Sequence, residues 1–304
     1  MPEYRAHVDF DITFANGGGI SGTGFRLDLP SEEATDAEVG RLLIQHLSLA
    51  LVDEVRLSGL RIVEEQHRGT RGVVADSAAT DAARIVDLSH RIRAGLVTYP
   101  GLPAPVITPH LTREDSRGRY APGTEFAMDV ITMIGNTGTY LDAPFHRYPD
   151  GADLAGLALD TLVDLHTEVF HLEDAWTADR RGISANTLAD RDVRGAAVLL
   201  HTGWDRHFGT PSYGRGAPFL TAEGAQWLID AGAALVGIDS LNIDDTESGG
   251  ERPAHTLPLG AGVHVVEHLT DLGALPPSGA RFTAAPPAVE GFGTFPVRAF
   301  AQVP

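Results

Sequence analysis

Asp142 and His146 stand four residues apart in Gly135–Gly151 (GNTGTYLDAPFHRYPDG), a stretch constrained by Gly138 and Pro144. Glycine permits a positive φ or a close backbone approach, and proline stiffens the chain. A carboxylate and an imidazole held this way can converge on one site, the first as a ligand and the second as a proton carrier. An aspartate that caps a turn and a histidine satisfied by backbone would share the same spacing, so both readings stay open on these residues alone. A second candidate, His264-Val-Val-Glu267-His268, fits the H-x-x-E-H zinc pattern. That pattern needs a further, distant carboxylate, and only 304 − 268 = 36 residues remain. The expectation is that one or both of these histidines lie on a helix surface.

The composition removes many other chemistries. The 304 residues contain no cysteine, which excludes disulfides, thiolate nucleophiles and thiolate metal sites together. They contain no lysine either, so Schiff-base chemistry and a phosphate-loop lysine are excluded. There is no G-x-S-x-G elbow, no H-E-x-x-H helix and no G-x-G-x-x-G after a strand. What remains is His, Asp, Glu, Tyr, Ser or Thr, with or without a metal. A formal charge of −18 repels phosphate backbones, so neither nucleic acid nor an anionic membrane is an expected partner. No apolar run approaches the ~20 residues of a membrane helix, and the N-terminus lacks the apolar core of a signal peptide. The expected location is the cytoplasm.

These residues need elements to hold them. His7–Phe14 alternates with Val8, Phe10, Ile12 and Phe14 on one face, which predicts a half-buried strand. The turn cluster Asn16–Gly19 and a second alternating run through Phe25, Leu27 and Leu29 predict a hairpin. Thr35-x-x-Glu38 is a capping box that opens a helix with Val39, Leu42, Leu43, Leu47, Ala50 and Leu51 on one face. Val55–Val63 predicts a third strand. Residues 1–66 therefore read as a small β-β-α-β appendage, suited to dimerisation or to a lid, and 67–84 as a linker. Residues 85–304 read as one larger α/β domain. Ala196–Leu200 and Ala234–Ile238 suit buried strands, and Leu220–Ala231 suits an amphipathic helix starting at Thr221. The domain has no eightfold βα alternation, which argues against a TIM barrel.

The segment Asn136-Thr-Gly-Thr-Tyr140-Leu-Asp142-Ala-Pro-Phe-His146 resembles the H-x-G-T-H-x-D-x-P-x-H signature of the cyclase-like metal hydrolases. That family includes bacterial kynurenine formamidase and isatin hydrolase. Matching blocks follow in the family's order: Asp87-Leu-Ser-His90, Tyr99-Pro-Gly101, Thr202-Gly-Trp204, Val236-Gly-Ile-Asp239, His255, Glu267-His-Leu269 and Pro296-Val-Arg298. The likeness runs over about residues 85–300 and implies a swivelling β/β/α fold with homodimers or homotetramers as the common assembly. Two departures stand out. The signature's first two histidines, ligands of one metal in two-metal members, are Asn136 and Tyr140 here.

The resemblance thus implies one metal centre lost and another kept, formed by Asp142, His255 and Glu267 with water. One imidazole and two carboxylates suit zinc or manganese acting on water. His146 corresponds to the family's proton-transfer histidine. The implied activity is metal-assisted hydrolysis of a small, aromatic amide, lactam or ester. A metal-free cyclase, lyase or isomerase using Tyr140 and His146 stays open, as does a non-catalytic binding role. Asn136 suits a hydrogen bond to a substrate carbonyl or oxyanion in either enzyme. Phe145, Tyr99 and Trp204 are candidates to stack on a flat substrate, and Arg147 to pair with its carboxylate. Core packing and a surface ion pair compete for these four.

Overall fold

The first alternating run forms strand β1 (Tyr4–Phe14), with Ala6, Val8, Phe10 and Ile12 buried on one face. The computed structural model describes residues 4–64, apart from 16, 30, 48, 50 and 51, and residues 84–304. The chain divides into two units, Met1–Thr80 and Asp81–Pro304. In the first, β1 is central in a three-stranded antiparallel sheet between β2 (Gly19–Leu29) and β3 (Val52–Glu64). The helix α1 (Asp36–His46) starts at a complete capping box, Thr35 with Glu38, and packs Val39 and Leu43 into the sheet's apolar face. Ala50 and Leu51, expected on that helix, lie outside the described residues, as do Asn16 of the turn cluster and positions 67–83 of the expected linker.

The second unit begins with β4 (Arg84–Asp87), β5 (Val106–Leu111), the short helix α2 (Arg113–Ser116), β6 (Met128–Thr132) and β7 (Tyr140–Asp142). It continues through β8 (Leu165–His171), β9 (Gly182–Ile183), α3 (Ala185–Leu188), β10 (Ala197–His201), β11 (Phe219–Leu220), α4 (Ala222–Asp230) and β12 (Leu235–Ile238). The helix α5 (Pro253–Gly260) then leads to β13 (His264–Glu267), β14 (Ser278–Thr283), β15 (Thr294–Pro296) and β16 (Phe300–Val303).

Nine of these strands form one mixed sheet in the order β15-β7-β13-β12-β10-β8-β14-β16-β4. The central four, β13, β12, β10 and β8, run parallel, and the flanking strands pair antiparallel. Parallel strands are covered on both faces, which is why β10 and β12 at the centre read as apolar runs. Along β10, Ala197 and Leu199 enter one core while Val198 and Leu200 enter the other, together with Leu228 of α4 and Leu259 of α5. The Thr221 side chain accepts from Gly224 N at 3.1 Å and starts α4 as expected. The α5 helix carries two prolines and no apolar period, so sequence pattern does not reveal it. The two-stranded β5–β6 ribbon exposes Val106, Ile107, Met128, Val130 and Ile131.

The His264–His268 segment corrects an expectation. It is strand β13 and the residue after it, and both histidines are buried rather than helix-surface residues. A four-residue apolar segment does not distinguish a helix from a buried strand, and tertiary pairing chose the strand. His264 Nε2 meets Thr161 Oγ1 at 2.9 Å while its buried Nδ1 has no partner. Burial lowers its pKa to about 4. Because that value lies below the ~6.5 of an unfolded histidine, the neutral ring stabilises the fold above pH ~6.5. This contribution, up to about 3 kcal/mol, is lost as the pH falls towards 4. Urea midpoints for wild type and His264→Gln should therefore converge on acidification across that window; parallel curves would contradict the assignment.

Candidate metal centre and active-site cleft

Three strands bring the site together. Strand β7 lies between β13 and β15, with Tyr140 opposite Glu267 and Asp142 opposite Thr294. The pleat turns Leu141 into the core and leaves Tyr140 and Asp142 on the other face. Gly138 precedes them at φ +67°, and a side chain there would press on Ile92 at 3.0 Å. Of the two uses open to this glycine, the structure shows the positive φ, which favours glycine over any residue with a side chain.

His255 arrives on the first turn of α5. Its Nε2 lies 3.5 Å from both Asp142 Oδ2 and Glu267 Oε1. One donor atom from each of Asp142, His255 and Glu267 falls within 4.8 Å of the others, and all three residues are buried. Asp142 Oδ2 is buried without a hydrogen-bond partner. An orphaned carboxylate oxygen facing an imidazole nitrogen and a second carboxylate fits a divalent cation, and the one-nitrogen, two-oxygen donor set suits zinc or manganese.

The outer contacts hold these donors in place. Asp244 accepts from His255 Nδ1 at 2.6 Å, and from the Ala254 and His255 amides at 2.6 and 3.1 Å. It thus caps α5 and turns His255 Nε2 inward, the arrangement typical of metal-bound imidazoles. Sequence reasoning missed Asp244, because its partners lie ten and eleven residues downstream; the carboxylate closing Asn242-Ile-Asp244 was the available signal. Glu267 Oε1 accepts from Ile243 N at 2.6 Å, and Glu267 Oε2 from the Tyr140 hydroxyl at 2.6 Å. Burial resists charge on His255, yet Glu267, Asp142 and Asp244 together outweigh it and raise its pKa well above the usual imidazole value. Burial, followed by the Asp142 charge, raises Glu267.

Tyr140 is buried, and its pKa is raised well above 10, first by burial and next by the Glu267 charge. Its hydroxyl also meets His268 Nε2 at 3.2 Å, and Tyr213 OH meets His268 Nδ1 at 2.8 Å. The structure therefore ties the phenol into a neutral hydrogen-bonded line that ends on Glu267. His268 stays neutral, since burial lowers its pKa to about 3.

A cleft of about 670 Å³ opens over this centre, and Tyr99, Asn136, Tyr140, His146, Arg147, His255 and Glu267 all line it. His146 sits on the turn after Pro144, with 37% of its side chain exposed, and its Nδ1 lies 3.8 Å from Asp142 Oδ1. The convergence expected of Asp142 and His146 is present. Arg147 and Arg252 both line the cleft, and neither makes an ion pair to a carboxylate among the described residues. Phe145 lies beside the cleft in a smaller recess with Gly293 and Thr294. Trp204 is not at the cleft. It is buried in a cluster with Tyr213 and Leu241, and its indole N–H donates to the Tyr213 carbonyl. Its block is structural: the buried Asp239 carboxylate accepts from the amides of Thr202 and Gly203.

The mixed α/β sheet thus carries, beneath an open cleft, a buried Asp–His–Glu donor set that could hold a metal ion. The sequence profile of the family described as putative cyclase matches residues 86–245, just over half the chain. The kynurenine formamidase of Geobacillus thermodenitrificans is 30% identical over 217 residues, covering 70% of this chain and 95% of the relative. That of Bordetella avium is 28% identical over 219 residues, covering 71% and 96%. Among solved structures, isatin hydrolase A from Labrenzia aggregata, bound to benzyl benzoate, superposes with TM-score 0.62 at 25% identity, covering 73% of this chain and 94% of its own. A potential metal-dependent hydrolase with cyclase activity gives TM-score 0.59 at 25% identity, covering 73% and 99%. The chain belongs to the cyclase family, and it is a hydrolase. Among the described residues, no helix is long and apolar enough to cross a membrane.

Proposed function

We propose that the chain hydrolyses a small amide or cyclic amide on an aromatic scaffold that carries an anionic group. Asp142, His255 and Glu267 would hold one zinc or manganese ion, which supplies Lewis acidity to water and to the amide oxygen. The observation that carries this reading is the unpartnered Asp142 Oδ2 beside His255 Nε2 and Glu267.

The chain's own groups divide the remaining work. His146 takes a proton from the attacking water and returns it to the departing nitrogen as the C–N bond breaks. Asn136 faces the same cleft and can donate from its amide to the substrate oxygen. Tyr99 offers an aromatic wall, and the guanidinium groups of Arg147 and Arg252, which have no carboxylate partner among the described residues, favour a substrate carboxylate. The relatives named for kynurenine formamidase and isatin hydrolase activity support an amide on an aromatic ring. Tyr140 serves as a support for Glu267 and not as an acid, because its hydroxyl is committed to that carboxylate.

The test combines metal analysis of the purified chain with a turnover panel of isatin, N-formylkynurenine and formanilide. The expected result is about one zinc or manganese per chain, and hydrolysis that a chelator abolishes and the metal restores. Turnover that persists after the metal is stripped would favour the metal-free alternative.

A further inference from the structure

We propose that Thr294 is a positioning residue that sets the tautomer and the aim of the His146 imidazole. This rests on the hydrolase reading above and adds the group that orients its proton carrier. Thr294 opens β15, is buried, and stands in register with Asp142. Its hydroxyl reaches two partners at once: Asp142 Oδ1, and His146 Nδ1 at 2.7 Å.

The proton count fixes the direction of both bonds. A threonine hydroxyl has one hydrogen to donate, and an ionised carboxylate only accepts. The Thr294 hydrogen therefore goes to Asp142, and the hydroxyl oxygen accepts from His146 Nδ1–H. The imidazole then carries its hydrogen on Nδ1 and keeps a bare Nε2 for the proton of a water. Direct contact with Asp142 cannot do this, because the 3.8 Å separation exceeds a hydrogen bond. Gly293 makes the arrangement possible, since a side chain there would come within 2.4 Å of the His146 amide nitrogen. The same contact divides the Asp142 carboxylate. Oδ1 is capped by Thr294, while Oδ2 is left facing His255 and Glu267.

Two variants separate this role from general support. Thr294→Val keeps the shape and removes both hydrogen bonds, whereas Thr294→Ser keeps the hydroxyl. Imidazole ¹⁵N spectra of the resting protein at pH 8.5, with His146→Gln identifying the resonances, read the tautomer without any turnover. The Nδ1–H form is expected in wild type and Thr294→Ser, and a mixture in Thr294→Val. On the isatin, N-formylkynurenine and formanilide panel, Thr294→Val should lose about 10–100-fold in kcat per bound metal ion, with KM unchanged. Thr294→Ser should restore most of that loss. An Nε2–H form in wild type, an unaltered tautomer in Thr294→Val, or a kcat loss that merely follows metal loss would each overturn the proposal. If wild type turns over none of the probes, the hydrolase reading fails, and the spectra still decide the Thr294 assignment.

Discussion

His146→Ala should lower kcat by about 10²–10⁴-fold on any amide the enzyme turns over, the usual span for loss of a general acid–base group. The imidazole lines the cleft but lies outside the group of converging donors formed by Asp142, His255 and Glu267. Metal content should therefore stay at the wild-type value. The side chain is partly exposed on a short turn, so its removal leaves no buried cavity, and the thermal midpoint should change little. KM should also hold, since the groups proposed to bind substrate are Arg147, Arg252, Tyr99 and Asn136. Steady-state kinetics beside metal analysis checks all of this. A variant with undiminished kcat would remove His146 from the reaction.

His255→Ala should cost the metal itself. It deletes the centre's one nitrogen donor and leaves two buried carboxylates, Asp142 and Glu267, facing each other. Like charges held close in a dry site repel strongly, so at least one should take up a proton rather than hold a cation. Asp244→Asn should be milder. It keeps the size of the side chain but weakens the acceptor that orients His255 Nδ1, and about 10–100-fold in metal affinity is expected. Metal titration of the two variants, with circular dichroism to confirm folding, should give the order wild type, Asp244→Asn, His255→Ala. Wild-type affinity in His255→Ala would show that the cation binds elsewhere.

Much of the fold is legible locally. The capping box at Thr35 and Glu38, the alternation along β1 and the apolar runs of β10 and β12 each declare their element, because pleat and helical periods are written in neighbouring residues. The α5 helix escapes that reading because prolines at 253 and 258 break its pattern, and its start is capped by Asp244 from another segment. Strand β13 escapes it for a related reason. Four residues carry too little periodicity to separate a strand from a helix turn, and the parallel pairing with β12 decided it.

The site divides the same way. Residue types and spacing along the chain single out Asp142 and His146, and the family likeness adds His255 and Glu267 and implies a chemistry for all four. Strand register alone determines that Tyr140 lands opposite Glu267 and takes one of its oxygens, and that Thr294 comes between Asp142 and His146. Those contacts join positions more than a hundred residues apart. No local pattern encodes which strand edges will meet, because that choice follows from burying both faces of the whole sheet at once. The amino-acid order and its family likeness therefore point to the candidate donors and the candidate proton carrier, and only the folded sheet decides which partners orient them.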